Sequence, residues 1–228
     1  VEELRMALAV HQGAAFVNTV AADREGSALY ADMSAIPNVS ADLLERCAID
    51  TGNPRLITLN GSNPSCNWQT DPGAAYPGLM PPAEQPSLIT DTYVSNSNDS
   101  YWLSNPEKRL EGYSPIIGNE QTTRSLRTRA GLVMVEEIIE SGEKFTQETV
   151  KDLLFNHRHY GAELLLDEIL VICEGNRNLE EACAILASWD RRQDIDSVGA
   201  HIFNQFWANA RGLSGHFAVP FDLVDPVN

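Results

Sequence analysis

Basic residues are scarce in this sequence. Its 228 residues carry 16 lysines and arginines against 32 aspartates and glutamates, which gives a formal net charge of -16. Because a phosphate backbone and an anionic membrane surface both repel such a chain, the charge argues against nucleic acid as a partner. No apolar run approaches the roughly 18 residues of a membrane-spanning helix, so we expect no membrane span. No signal-peptide pattern opens the sequence, and a start at Val1 is compatible with a leader that has been removed.

Several catalytic motifs are also missing. The chain contains no glycine-rich dinucleotide fingerprint, no Walker loop, no H-E-x-x-H and no G-x-S-x-G. His157 and His159 are spaced i, i+2, which separates their rings on a helix, and no carboxylate lies at ligand spacing, so we predict no metal site. Asp23 and Asp32 flank a candidate hairpin. Solvation at a turn and at a strand edge explains these two better than a pair of catalytic carboxylates.

Cysteine is limited to four residues, Cys47, Cys66, Cys173 and Cys183. Their spacing makes no C-x-x-C metal or redox motif, and two neighbouring pairs suit two local disulfides. Two disulfides would indicate an oxidising compartment. The alternative is four buried free thiols, because free cysteine is among the most buried residue types.

The first 120 residues are typical of strands and loops. Apolar spacing predicts a short helix over residues 1–12, and Ser40 is a predicted cap for a helix over residues 41–48. We expect strands at four segments rich in β-branched, aromatic or apolar residues: 15–23, 27–32, 56–59 and 87–94. Between Asn60 and Ser87, repeated Gly, Pro, Asn and Ser predict a long loop, which a Cys47–Cys66 disulfide would pin.

From Glu120 onward, apolar residues recur at helical intervals. The pattern predicts five helices, at 123–139, from 146, at 162–173, at 179–190 and at 197–210. Thr146 is a predicted N-cap, and Asn178 followed by Glu181 resembles a capping box. Strands followed by helices indicate an α+β protein rather than a βαβ one. With 43% hydrophobic residues, we expect 1–228 to form a single domain, 1–120 rich in strands and loops and 121–228 mainly helical.

The candidate site is the stretch from Val94 to Pro106, V-S-N-S-N-D-S-Y-W-L-S-N-P, which follows a predicted strand. Strand ends and the loops after them commonly carry catalytic side chains. Asn, Ser and Asp are also ordinary turn formers, because their short side chains bond the local backbone. We expect Asn96 and Asp99 to do so. On composition alone, the stretch fits either a turn or a site.

This stretch resembles the β-chain of the penicillin acylase family, together with V-N-T-V-A-A-D-R and A-L-Y-A-D before it and T-R-S-L-R-T-R after it. The similar branch contains acyl-homoserine-lactone acylases and aculeacin-type acylases, which are N-terminal-nucleophile (Ntn) hydrolases. The resemblance implies part of an αββα sandwich, a periplasmic or secreted location, and hydrolysis of acyl-homoserine lactones or related N-acyl compounds. Some family members hold a structural calcium, whose ligands the resemblance does not map here, and we expect no other cofactor.

The resemblance also assigns roles to single residues. By motif position, Asn98 is the oxyanion-hole asparagine and Arg124 is the arginine that orients it. A carboxamide suits the first role because it donates two hydrogen bonds while staying neutral. Phe16 and Asn18 fall near the acyl-pocket strand of the family, and Trp68 is a further candidate for substrate binding. For Phe16 and Trp68, ordinary packing is the alternative.

The nucleophile of the family is an N-terminal serine whose own α-amino group acts as its base. Val1 has no hydroxyl group, so we expect the nucleophile to lie upstream in the same precursor and this polypeptide alone to be inactive. Its partners would be the α-chain and the remainder of the β-chain, with a small-molecule N-acyl compound as substrate. The alternative is a non-catalytic secreted binding or structural domain, with the long loop as its contact surface.

Overall fold

The protein is a mixed α+β chain in two compact units. A computed structural model describes residues 1–14, 17–53, 56–173, 175–210 and 221–227. Within these ranges the chain forms seven α-helices and one three-stranded antiparallel sheet. The first unit covers residues 1–123 and the second covers residues 124–228. The α+β class is as predicted, whereas the expectation of a single domain stays a prediction.

The sheet of the first unit follows helix α1 (Glu2–His11) and consists of β1 (Thr19–Ala22), β2 (Ala28–Ala31) and β3 (Ser87–Thr90). β2 lies in the centre and pairs antiparallel with both neighbours. All four of its residues are buried, because both edges are covered and its apolar side chains pack into the core. The predicted hairpin between β1 and β2 is confirmed.

A second cluster of the first unit forms around helix α2 (Ala41–Cys47). The Ser40 side chain accepts a hydrogen bond from the backbone N–H of Leu43, which confirms the predicted cap. The helix ends at Cys47, and the Cys47–Cys66 disulfide packs with Val39 and Leu43. The disulfide therefore fastens the long loop to the helix.

The prediction of a strand at residues 56–59 is wrong. Only Leu59 makes a β-bridge there, with Ala48, and no ladder continues from it. A strand is stable only when a partner strand binds its backbone N–H and C=O groups along its length. A single bridge satisfies too few of these groups to form a strand. β3 is likewise shorter than predicted, because pairing ends at Thr90 rather than at Val94.

The second unit is helical, as predicted. It contains α3 (Leu126–Ser141), α4 (Gln147–Phe155), α5 (Tyr160–Cys173), α6 (Glu180–Ala187) and α7 (Ala200–Ala210). The core of this unit combines residues of α5, α6 and α7 with Trp189: Ala162, Leu166, Leu186, Trp189 and Phe203. The Cys173–Cys183 disulfide joins the end of α5 to α6, so both pairs of neighbouring cysteines are bridged.

The capping box predicted at Asn178 is wrong, whereas the Thr146 capping box of α4 forms. Asn178 lies in a short 3-10 helix, Arg177–Leu179, before α6. The cap of that turn is Asn176, whose side chain accepts from the N–H of Asn178.

Across the described residues, none of the helices combines the length and the apolar character that crossing a bilayer requires.

Candidate functional site

The asparagine-rich loop leaves β3 at Thr90 and ends in a short 3-10 helix, Tyr101–Leu103. Asn98 lies at its exposed tip and has a left-handed backbone with φ of 55°. Few residues with a Cβ adopt this conformation, and Asn is one that tolerates it. Most other residues at position 98 would be strained in this turn, whereas the second Asn of N-S-N-D is not.

Asn96 braces that turn from inside. Its side-chain Oδ1 accepts from the backbone N–H of Asn98 at 2.8 Å and of Asp99 at 3.3 Å. Its Nδ2 donates to the backbone carbonyl of Asp99 at 3.0 Å. The Asp99 carboxylate accepts from the N–H of Ser100 at 2.8 Å. The predicted local bonding of Asn96 and Asp99 is confirmed.

Two buried aromatic side chains anchor the far side of the loop. Tyr101 and Trp102 are both almost fully buried in the 3-10 helix, which the Ser100 side chain caps. The Tyr101 hydroxyl donates to Glu120 at 2.6 Å, and the Trp102 indole N–H donates to Glu111 at 2.7 Å. Both rings bury their apolar surface and have hydrogen-bond partners for their polar atoms. They therefore hold this end of the loop in a fixed position.

The carboxylate of Glu120 accepts three hydrogen bonds, and Glu120, like Glu111, is a residue of this anchor that sequence reasoning missed. Besides Tyr101, its carboxylate accepts from the backbone N–H groups of Gly112 and Tyr113, each at 3.0 Å. Burial alone would raise the pKa of Glu120, but these three hydrogen bonds together lower it. Burial and this same hydrogen bond raise the pKa of the Tyr101 phenol, so the hydroxyl stays a donor. No local pattern in the sequence marks Glu120.

The base of the loop is closed by Asn105. Its Nδ2 donates to the carbonyl of Tyr93 at 2.9 Å, and its Oδ1 accepts from the N–H groups of Glu107 and Lys108. The N–H of Ser95 donates to the carbonyl of Ser104 at 2.8 Å, which joins the two arms. The loop is therefore a braced platform with an asparagine at its tip.

Arg124 opens the second unit, immediately before Ser125, the cap of α3. Its side chain is buried, with 7% relative exposure. Arg127, in the first turn of α3, is exposed. Arg129 instead donates from Nε to the carbonyl of Val227 at 2.5 Å, because the chain returns to it. The role of Arg124 toward Asn98 stays a prediction.

Of the three predicted substrate-binding residues, the structure describes Asn18 and Trp68, which lie on different segments. Phe16 lies outside the described residues. The Asn18 side-chain oxygen accepts a hydrogen bond from the hydroxyl of Tyr30, whose ring is fully buried on β2. Trp68 is 52% exposed on the long loop, beside Gly78, where an added Cβ would lie 3.5 Å from the indole ring. Their part in substrate binding stays a prediction.

Asp32 differs from the sequence interpretation. Asp23 does solvate the hairpin turn, since its Oδ1 accepts from the N–H groups of Glu25 and Ser27. Asp32, directly after β2, is instead partly buried, and burial raises its pKa to about 6. Tyr101, far along the chain, lies close enough to Asp32 for the carboxylate charge to raise the pKa of its phenol. Strand-edge solvation is therefore wrong for Asp32.

The described residues of the second unit line cavities, and two histidines lie beside one of them. A cavity of about 540 Å³ lies beside the Cys173–Cys183 disulfide, and one of about 420 Å³ is lined in part by His157 and His159. His157 is hydrogen-bonded to Asp194, while His159 packs edge-on against Phe203 and its Nδ1 accepts from the N–H of Ala162. Within the described ranges, no three His, Cys, Asp or Glu side chains are grouped so as to hold a metal.

Comparison with known proteins places the chain in a family. Residues 1–220 match the family described as penicillin amidase. Aculeacin-A acylase from Actinoplanes utahensis is 38% identical over all of the chain. The acyl-homoserine lactone acylases PvdQ of Pseudomonas syringae pv. syringae (strain B728a) and of Pseudomonas putida are 34% and 35% identical over 95% and 94% of it. The chain spans only 28% to 31% of the length of these relatives. The chain belongs to the penicillin amidase family.

Proposed function

We propose that the whole protein is an acylase that hydrolyses the amide bond of N-acyl compounds, with acyl-homoserine lactones as the favoured substrates. Its nucleophile is an N-terminal serine outside this chain. The names of the relatives support the proposal, since two are acyl-homoserine lactone acylases and one is an aculeacin-A acylase. In this proposal the chain contributes part of an αββα Ntn-hydrolase sandwich, completed by the α-chain and the rest of the β-chain, in the periplasm or outside the cell.

The observation that carries the proposal is the braced loop with Asn98 at its exposed tip. Amide hydrolysis passes through a tetrahedral intermediate whose oxygen carries negative charge, and fixed donors stabilise that charge without reorganising during the reaction. A carboxamide on a braced turn meets this requirement, because the loop fixes its backbone and the amide N–H₂ cannot lose its proton to the intermediate. Arg124 orients this asparagine, and Phe16, Asn18 and Trp68 line the path of the acyl group.

The test is an assay of the full-length protein on acyl-homoserine lactones of several chain lengths. Amide hydrolysis splits the substrate into a free carboxylic acid and homoserine lactone, whereas opening of the lactone ring adds water and leaves one molecule. Mass spectrometry of the products separates the two reactions. Detection of ring opening alone, or of no reaction on any N-acyl substrate, would contradict the proposal and favour a binding domain.

Asn98 is tested in the same assay by two substitutions. We expect Asn98→Gly and Asn98→Ala to lower kcat by roughly a hundredfold or more, because removal of one oxyanion donor costs about 3 kcal/mol of transition-state stabilisation. Glycine accepts the left-handed backbone, so it removes the carboxamide without adding strain. Equal turnover in Asn98→Gly and the wild type would refute the role of Asn98.

A further inference from the structure

The bonds of the Asn96 side chain all end on the two residues at the tip of the loop. Oδ1 receives the N–H groups of Asn98 and Asp99, and Nδ2 donates to the carbonyl of Asp99. One carboxamide thus uses both of its ends within four residues. Such a side chain replaces backbone hydrogen bonds that the left-handed turn at Asn98 cannot make for itself.

The backbone of Asn98 decides where its carboxamide lies. With φ at 55°, its Cα–Cβ bond leaves the chain in a different direction from that of an extended or helical residue. Without the Asn96 bonds, the N–H groups of Asn98 and Asp99 lose their partner, and an ordinary backbone conformation becomes competitive at Asn98. The direction of the Asn98 side chain therefore depends on Asn96.

Hydrogen bonds hold the backbone next to Asn96 in place. Its neighbour Ser95 is bonded to Ser104, and the carbonyl of Tyr93 is held by Asn105. On the other side of the tip, the buried Tyr101 donates to Glu120. The two arms of the loop are thus anchored independently of Asn96, which links the anchored base to the tip.

We infer that Asn96 is a positioning residue for the reaction, a claim that rests on the proposed function of Asn98. It touches neither substrate nor nucleophile. It holds the Asn98 donor where the negative charge of the tetrahedral intermediate develops, and a donor that is displaced by about 1 Å loses much of its effect. Substitution of Asn96 consequently lowers kcat rather than weakening substrate binding.

The first measurement compares Asn96→Ala and Asn96→Asp with the wild type in the full-length protein. We expect Asn96→Ala to lower kcat by roughly ten- to a hundredfold with KM nearly unchanged. Aspartate keeps an acceptor for both N–H groups but cannot donate to the carbonyl of Asp99, so Asn96→Asp should recover part of that loss. The matched control is Asn176→Ala, which removes a similar bond from the N–H two residues later to an asparagine side chain in the second unit and should leave kcat unchanged.

The second measurement is a double-mutant cycle with Asn98→Gly. If Asn96 acts through the Asn98 side chain, adding Asn96→Ala to Asn98→Gly causes no further loss, whereas general damage to the fold lowers kcat by the same factor in both backgrounds. Equal losses in both backgrounds would overturn the inference. A wild-type kcat for Asn96→Ala, together with a lowered kcat for Asn98→Gly, would also overturn it. A wild-type kcat for Asn98→Gly would instead refute the proposed function. Should Asn96→Ala fail to fold, Asn96→Ser takes its place in the cycle, because its hydroxyl makes a weaker form of the same turn.

Discussion

Single side chains set the response of the first unit to pH, and Asp32 is the clearest case. Burial raises its pKa to about 6. For an acid, a raised pKa in the folded state means that folding favours the protonated form. The stability that this carboxyl contributes is therefore present in acid and is lost as the pH rises from about 4 to about 6.

The substitution Asp32→Asn tests this sign. Asparagine cannot ionise, so at pH 7.5 we expect the variant to exceed the wild type by about 1–2 kcal/mol in free energy of unfolding, allowing for partial exposure of the carboxylate. At pH 3.5 the two proteins should be equally stable. Urea denaturation of the full-length protein at both pH values measures the difference. The exposed Asp196→Asn is the control, and a gap for Asp32→Asn that is the same at both pH values would contradict the burial argument.

At the scale of elements, the predictions succeeded where the signal is local. Ser40 and Thr146 cap helices at the expected positions, because a cap needs only the residue and the N–H groups two or three positions later. The strand at residues 56–59 failed because a strand depends on a partner that the segment itself does not specify.

The same contrast runs through the candidate site. The Asn96 bonds stay within the tip of the loop and follow from the turn chemistry of Asn. Glu120 was missed because its partner Tyr101 lies 19 residues earlier, and only the fold brings the two together. Asp32 was misread for the same reason, because the fold brings it near Tyr101, a residue far along the chain whose pKa its charge raises.

The cap of α3 gives a prediction at this scale. The Ser125 hydroxyl accepts from the N–H of Thr128 at 3.3 Å and lies 3.0 Å from the hydroxyl of Thr128. We expect Ser125→Ala to lower the free energy of unfolding by about 1 kcal/mol, because it leaves a helix N–H without its partner. Ser141→Ala, at the exposed C-terminal end of the same helix, is the matched control and should change stability by less than about 0.5 kcal/mol. Thermal or urea unfolding of both variants measures the two changes in stability. Equal losses of stability in Ser125→Ala and Ser141→Ala would contradict the capping role.

At the scale of the whole chain, each compact unit carries its own disulfide. Cys47–Cys66 closes 19 residues in the first unit, and Cys173–Cys183 closes 10 residues in the second. Each bridge ties a helix to a neighbouring segment: α2 to the long loop, and α5 to α6. In the chain-entropy account a disulfide stabilises a protein by restricting its unfolded state, and the effect grows slowly with the length of the closed loop.

Removing the two bridges one at a time should therefore cost similar amounts. We expect Cys47→Ala with Cys66→Ala to lower the free energy of unfolding by about 3 kcal/mol, and Cys173→Ala with Cys183→Ala to lower it by slightly less, because the second loop is shorter. Peptide mapping of the non-reduced protein first verifies both pairings, and urea denaturation then gives the two losses. A loss near zero for either pair would mean that packing alone holds that segment, and a larger loss for the shorter loop would show that contacts of the disulfide, rather than chain entropy, govern the stability of the unit.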